Sequence, residues 1–465
     1  NVVFVNPTLI AFTKILNSAP DFANILVKSR EGRPIWLKGK RDGYTSGGLI
    51  PRISTSILNL YNGDRLENPK YNGKTTNWTN VDDNIKKELK EINNKNGKVR
   101  ILSNTIISPS TNSLIKDFID SSSNSDIKHV QYDAKSYNGI RIAHKNLFGK
   151  SVIPSYSFDK ASVLVSIGAD FISNWLLPSK YSCDFSKTRK PENGMSRHYQ
   201  FESVLSLSGA NADYRSQIKP SQEGITASSI LAAIKGESFS DVYNESTTEK
   251  IRKCAKDLKS NKGKSLVISG SNDPNVQTIV AAINDELNNY GATIDFDKPL
   301  NLFQADDSEV NSLIKEIESN ELQALFIYGV NPVYSMPNGE ALAEHISKIP
   351  LTVSFSEYED ETSSFCKYIC PDHNYLESWC DHEPISGHVS LQQPIIRPLY
   401  NTRQAQETLL VWSSLAQRGI NESKVFYNFI KNYWRDKKIG NQSEYMTFDE
   451  FWNWTVHNGF TNTEQ

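Results

Sequence analysis

The sequence predicts an α/β protein made of two doubly wound domains behind a small irregular N-terminal module. Three observations carry that expectation. From about Thr79 strand-sized apolar runs alternate with amphipathic helical patterns, as parallel βαβ units require. The alternation restarts after a polar stretch at 236–250. Three strands also end in a glycine-containing polar turn, the position where open α/β sheets bind ligands.

In chain order, Ala23–Lys28 and Pro34–Lys38 read as strands flanking the turn Ser29-Arg30-Glu31-Gly32-Arg33, and Ser54–Tyr61 as a short helix. Val81–Asn93 carries Ile85, Leu89 and Ile92 at helical spacing, with Asn80 as its N-cap. Val99–Leu102 is a strand, Ser110–Asp120 a helix, His129–Tyr132 a strand and Ser162–Ile167 a stronger one. In the second block Ser265–Ser269 is a strand and Asn275–Leu287 a helix stopped by Gly291. Ala292–Phe296, Ala324–Tyr328 and Leu351–Phe355 are strands, and Ser308–Ser319 is a helix. Beyond Gln404 the tail is helical and aromatic, from Phe426 to Trp454. Its aromatics serve either as docking anchors or, as a helix packing into its own core does, as core. The expected divisions are 1–78, 79–240, 241–403 and 404–465.

Composition narrows the function. The length of 465 residues suggests roughly three domains. Lys and Arg number 51 against 53 Asp and Glu, which argues against a nucleic-acid binder. The longest apolar runs, such as Ala161–Ile167 and Ala324–Val330, fall far short of the ~18 residues of a membrane span. The sequence opens on Asn1 without Met or signal peptide, so the native N-terminus is expected to have been removed or to lie outside this sequence.

The three turns are Ile167-Gly168-Ala169-Asp170, Ser269-Gly270-Ser271-Asn272-Asp273 and Tyr328-Gly329-Val330-Asn331-Pro332. They read either as ligand loops or as tight turns that prefer glycine. No G-x-G-x-x-G follows a strand, and Gly263-Lys264-Ser265 precedes its strand, opposite to a P-loop. No HExxH, G-x-S-x-G or nucleophile–base pair stands out, so no catalytic residue is expected. Five cysteines, Cys183, Cys254, Cys366, Cys370 and Cys380, exclude a complete disulfide framework. Cys366, Cys370, His373, Cys380 and His382 cluster in sequence, but their spacing is unlike a zinc site, and no metal is expected.

Several segments resemble the sequential blocks of molybdopterin oxidoreductases: SVLVSIGADFISNW (162–175), SLSGANAD (206–213), YGVNPVYSM (328–336), SFSEYEDET (354–362) and PDHNYLESWCD (371–381). SLQQPIIRPLYNTRQAQETLL (390–410) and FANILVKSREGRPIWLK (22–38) are similar to the molybdopterin-oxidoreductase-like, iron–sulfur subunit of bacterial alternative complex III. The resemblance implies a DMSO-reductase-type fold and an extrinsic subunit of a respiratory quinol-oxidising complex. It implies integral membrane quinol-oxidising and haem c subunits as partners, at the periplasmic face of the inner membrane. It also implies a cofactor-free molybdoenzyme-like part, followed by a ferredoxin-like part with iron–sulfur clusters that would begin near Gln465.

Residue chemistry agrees with the cofactor-free expectation. Residues 1–182 contain no cysteine, and an iron–sulfur cluster needs thiolates. Molybdopterin is expected to be absent. The equivalents of Gly168, Ala169, Asp170, Phe171, Ser208, Gly209, Asn331, Pro332, Glu361, Thr362 and His373 line the pterin-dinucleotide cleft in cofactor-bearing relatives; here they read as a vestigial pocket. Cys366, Cys370 and Cys380 depart from the family pattern in that region. The alternative is a catalytic subunit of the polysulfide or tetrathionate reductase type, with Ser136 on the metal.

Overall fold

The structure is a computed structural model and describes residues 9–15, 20–122, 125–239, 242–413, 425–437 and 447–463. The chain forms two compact units. Unit 1 comprises residues up to 40, 51–135 and 302 onward; unit 2 comprises 41–50 and 136–301.

Unit 1 opens with an antiparallel sheet of β1 (Leu9–Ile15), β2 (Pro20–Arg30) and β3 (Arg33–Gly39). Glu31 and Gly32 join β2 to β3, both at positive φ, as the tightest hairpin turns demand. The next sheet has seven strands. Its order is β5-β4-β16-β15-β14-β6-β7, from β4 (Lys70–Tyr71), β5 (Lys74–Thr75), β6 (Lys98–Ser103) and β7 (Asp126–Gln131) before unit 2. The chain passes through β8 (Ile153–Tyr156), β9 (Val163–Ile167), β10 (Arg197–Glu202), β11 (Tyr214–Gln217), β12 (Ser265–Ser269) and β13 (Ile294–Leu300) of unit 2. It returns with β14 (Ala324–Tyr328), β15 (Leu351–Ser354) and β16 (Tyr368–Ile369). The strands from β16 to β7 run parallel, with Ala324 opposite both Val99 and Leu351.

Both faces of this sheet are covered, and the strands alternate between two cores. Val99, Ile101, Phe326 and Val353 pack with the helix Pro109–Asp120 and the tail. Leu102, Leu325 and Ile327 pack on the opposite face with the helices Asp307–Glu318 and Gly339–Ile346. Such two-sided burial is what parallel sheets show. Phe426, Ile430, Trp434, Phe451 and Trp452 of the tail are buried in unit 1's own core. Unit 1 ends in an antiparallel set, β17 (Cys380–Ile385), β18 (His388–Gln392) and β19 (Phe460–Asn462).

Unit 2 holds a parallel sheet of order β11-β10-β9-β12. Val163, Val165 and Ile167 pack with Ile230, Ile251 and Leu258 of its helices. β8 and β13 pair antiparallel.

Some expectations shift. The helix starting near residue 80 spans Trp78–Asn94, and Asn77 caps it by accepting from the Asn80 N–H at 2.9 Å. Gly291 lies beyond the helix Pro274–Glu286, in the turn before β13. The units also divide differently from boundaries at 78/79, 240/241 and 403/404. β9 pairs with β12 and β6 with β14, so each sheet draws strands from both blocks of sequence. The polar stretch at 236–250 falls inside one unit, and its last residues belong to the helix Glu245–Ser260.

Candidate functional site

In unit 1, β6 leads to β7 on one side, while β14 on its other side leads away to β15. The crevice outside the carboxyl ends of β6 and β14 is therefore a topological switch point, where open α/β sheets place ligands. A cavity of about 380 Å³ lies beside it, lined by Tyr328–Val330 at the end of β14 and Phe355–Tyr358 after β15. A smaller recess of about 50 Å³ runs from it under Asn104–Ser108 after β6 and shares Tyr328, Cys380, His382 and Gln406.

Cys380 and His382 alternate along β17, so both side chains reach the same side of the strand and both line the cavity. Gln392 donates its amide to the carbonyl and the hydroxyl of Ser378, each at 3.1 Å. Its Oε1 must therefore accept from His382 Nε2, 3.1 Å away. That fixes the proton on Nε2 and leaves Nδ1 a bare acceptor, buried without a hydrogen-bond partner. Burial holds the His382 pKa below its ordinary value, since the charged form is disfavoured there. Gln406 donates to the Tyr328 hydroxyl at 3.0 Å, and its Oε1 is likewise buried without a partner. Between Cys380 and His382, Asp381 accepts from Ser108 at 2.6 Å, Ser110 Oγ at 2.7 Å and Trp434 Nε1 at 2.8 Å. It locks the start of the helix after β6 to β17 and the tail.

Beside the cavity the Arg65 guanidinium is buried and binds both oxygens of Glu377, at 3.2 and 2.6 Å. Glu377 also accepts from the N–H groups of Asn374 and Leu399. Arg65 and Glu377 stand 312 positions apart, and nothing in their local sequence marks them as partners.

The expected site residues fall in both units, and most are engaged by their neighbours. In unit 1 Asn331 donates to Glu361 at 2.7 Å and accepts from the Thr362 hydroxyl at 2.6 Å. Thr362 Oγ1 accepts from the Val333 N–H at 3.0 Å, which pins the turn opened by Pro332. The His373 ring meets Thr402 Oγ1 at 2.7 Å, and burial pushes its pKa down to about 4. Only His373 of this group lines the cavity.

In unit 2 Asp170 accepts from the Ser208 N–H and hydroxyl at 3.1 and 2.7 Å. Ser208 Oγ in turn accepts from the Ile172 N–H. The Phe171 ring packs tilted against Phe158, with ring centres 4.7 Å apart, and the Ala169 carbonyl accepts from Ser166. Carboxylates crowd both turns. A Cβ on Gly168 would sit 2.5 Å from Glu223 Oε1, and one on Gly209 1.8 Å from Glu202 Oε1. Burial raises the Glu223 pKa. Ser136 Oγ accepts from the Asn138 N–H at the start of a helix.

The cysteines are free, and all but the half-buried Cys183 are buried. Cys366 and Cys370 belong to cores on opposite faces of the large sheet. Burial pushes the Cys366 and Cys380 thiols up to about 12, far from the thiolate that binds metal. Among the described residues no group of three or more His, Cys, Asp or Glu is arranged to hold a metal ion, and no helix is long and apolar enough to cross a membrane.

No family model matches the sequence. The chain superposes on acetylene hydratase from Pelobacter acetylenicus with a TM-score of 0.68, covering 98% of this chain and 74% of that one at 12% identity. The fold is thus of the molybdopterin-oxidoreductase type. A stretch of 92 residues is 35% identical to the menaquinone reductase molybdopterin-binding-like subunit of Nitratidesulfovibrio vulgaris (strain Hildenborough). That stretch is 19% of this chain and 13% of the relative. The sequence similarity is thus confined to a small part of that relative's length.

Proposed function

We propose that this chain is a molybdoenzyme-fold scaffold in an extrinsic electron-transfer subunit of a quinol- or quinone-dependent respiratory complex, and that it holds no pterin dinucleotide. The carrying observation is what surrounds the expected cofactor turns. A pterin dinucleotide brings a diphosphate, yet Glu223 and Glu202 crowd Gly168 and Gly209. The Glu202 carboxylate is met by Arg215 at 2.6 Å, so that cation is already engaged. With a carboxylate already beside each glycine, the space a phosphate would need against that backbone is taken. Asn331, Thr362, Asp170 and Ser208 spend their polar atoms on one another and on turn backbone. These residues do not fit the group; they fit turns retained for architecture.

The kinship to a quinone reductase subunit supports the respiratory setting. Alternative complex III is the assembly the sequence blocks favour, with membrane quinol-oxidising and haem c subunits as partners on the periplasmic side. Elemental analysis of purified protein for molybdenum and tungsten, with pterin fluorescence after oxidation, tests the central claim. Neither metal nor pterin is expected; stoichiometric amounts of both overturn it.

A further inference from the structure

The cavity beside the β6/β14 switch point is lined by two buried acceptors that no donor among the described residues reaches. His382 Nδ1 and Gln406 Oε1 are bare acceptors, on side chains only 5% and 3% exposed. An acceptor buried without a donor is left with its desolvation uncompensated, which a ligand bearing donors would relieve.

Charge points the same way. Glu357, Asp360 and Asp372 line the cavity, and no Lys or Arg does so among the described residues. The nearby Arg65 is engaged by Glu377, with Glu357 Oε2 3.8 Å from its Nε. Tyr328, Phe355, Tyr358 and Tyr375 add aromatic rings to the wall, and ring faces attract cations.

We infer that this cavity binds a small organic cation with several N–H groups, of the amidinium or guanidinium class. Its N–H groups would donate to His382 Nδ1 and Gln406 Oε1. Its charge would face the three carboxylates, and its planar delocalised centre suits an aromatic wall. A volume of about 380 Å³ holds a ligand of that size. This inference is independent of the scaffold reading.

Calorimetric titration of the full chain with benzamidine tests it. Saturable one-site binding is expected. Tetramethylammonium, with the same charge and no N–H, is expected to bind at least about tenfold more weakly, and pyrophosphate not at all. The double variant Asp360→Asn/Asp372→Asn removes two charges. It keeps the Oδ1 atoms that accept from Ser363, His373 and Ala405 N–H groups, and should weaken benzamidine at least about tenfold. Should the double variant misfold, Asp360→Asn alone, at a half-buried position, carries the same prediction in the same direction. No saturable benzamidine binding, equal binding of tetramethylammonium, preference for pyrophosphate, or an unchanged affinity in the variants each overturns the inference.

Discussion

In unit 2 the switch point lies between β9 and β12, because β9 leads to β10 on one side and β12 lies on the other. It is filled. A Cβ on Gly270, after β12, would stand 2.4 Å from the Gly168 carbonyl oxygen, after β9, so the two turns touch backbone to backbone. Trp175 is 1% exposed and donates to the Ser269 carbonyl at 3.1 Å, and Gln277 donates to the same oxygen at 3.2 Å. Only about 10 Å³ remains beside them. In unit 1 a recess of about 50 Å³ under the residues after β6 opens beside a cavity of about 380 Å³ at the ends of β14 and β15. Two sheets that each contain a switch point thus differ in the residues around their strand ends: an aromatic plug in one, and tyrosine, glutamine and carboxylate walls in the other. Topology marks where a ligand could sit, and the side chains decide whether one can.

Acid should abolish the contrast, with the largest effect. His129 and His373 in unit 1, and His144 and His198 in unit 2, are each pushed by burial to about 4. Unfolded histidine titrates near 6.5. Folding excludes these protons, so the contribution is whole above about 6.5 and is lost as pH falls toward about 4. At pH 5 each should contribute about 2 kcal/mol less than at neutrality. Since each unit carries at least two, with His382 shifted in the same direction in unit 1, both should weaken in the same window. Trp175 is the only tryptophan in unit 2, so its fluorescence separates the units. A urea midpoint that stays level from pH 7.5 to pH 5 would refute the assignment.

Two truncations come second in size. Trp175→Ala should open unit 2's switch point and cost about 3–5 kcal/mol, the usual range for a buried tryptophan. Arg65→Met should cost a similar ~3–5 kcal/mol in unit 1 for another reason, an uncompensated Glu377 carboxylate. Denaturant unfolding gives both values. A loss below ~1 kcal/mol in either variant would show that the surroundings of that residue relax and that its wall is not rigid.

Gly270→Ala comes next, at about 1–3 kcal/mol, because the added methyl meets backbone, which gives way poorly. A neutral result would mean that the two unit 2 turns can part, and the filled crevice would then be closed only by Trp175.

How far the sequence could reveal this contrast depends on whether a feature is local. VLVSI, SLVIS and ALFIY are short apolar runs ending in glycine turns, and each forms its strand. The cap falls on Asn77 instead of Asn80, the other of two asparagines three residues apart. The interleaved units depend on which strands pair across long stretches of chain, as β6 does with β14, with no mark in the sequence of either strand. The bare Nδ1 of His382 depends on the rotamer of Gln392, set by Ser378, and the bare Oε1 of Gln406 on the amide's bond to Tyr328. Arg65 and Glu377 find each other only in the folded chain.

The smallest effects compare how the two units lock their turns. Thr362→Val preserves shape at a fully buried position but leaves the Val333 N–H and Asn331 Oδ1 without the hydroxyl between them. Unmaking buried hydrogen bonds costs about 1–3 kcal/mol, so unit 1 should weaken by that amount. Asp170→Asn in unit 2 keeps the Oδ1 that accepts from both Ser208 groups, and should cost less than about 1 kcal/mol because only the charge assistance is removed. If the Asp170 change proves the larger of the two, its charge serves something beyond the Ser208 turn. The reading of that turn as purely architectural would then fail in unit 2 while standing in unit 1.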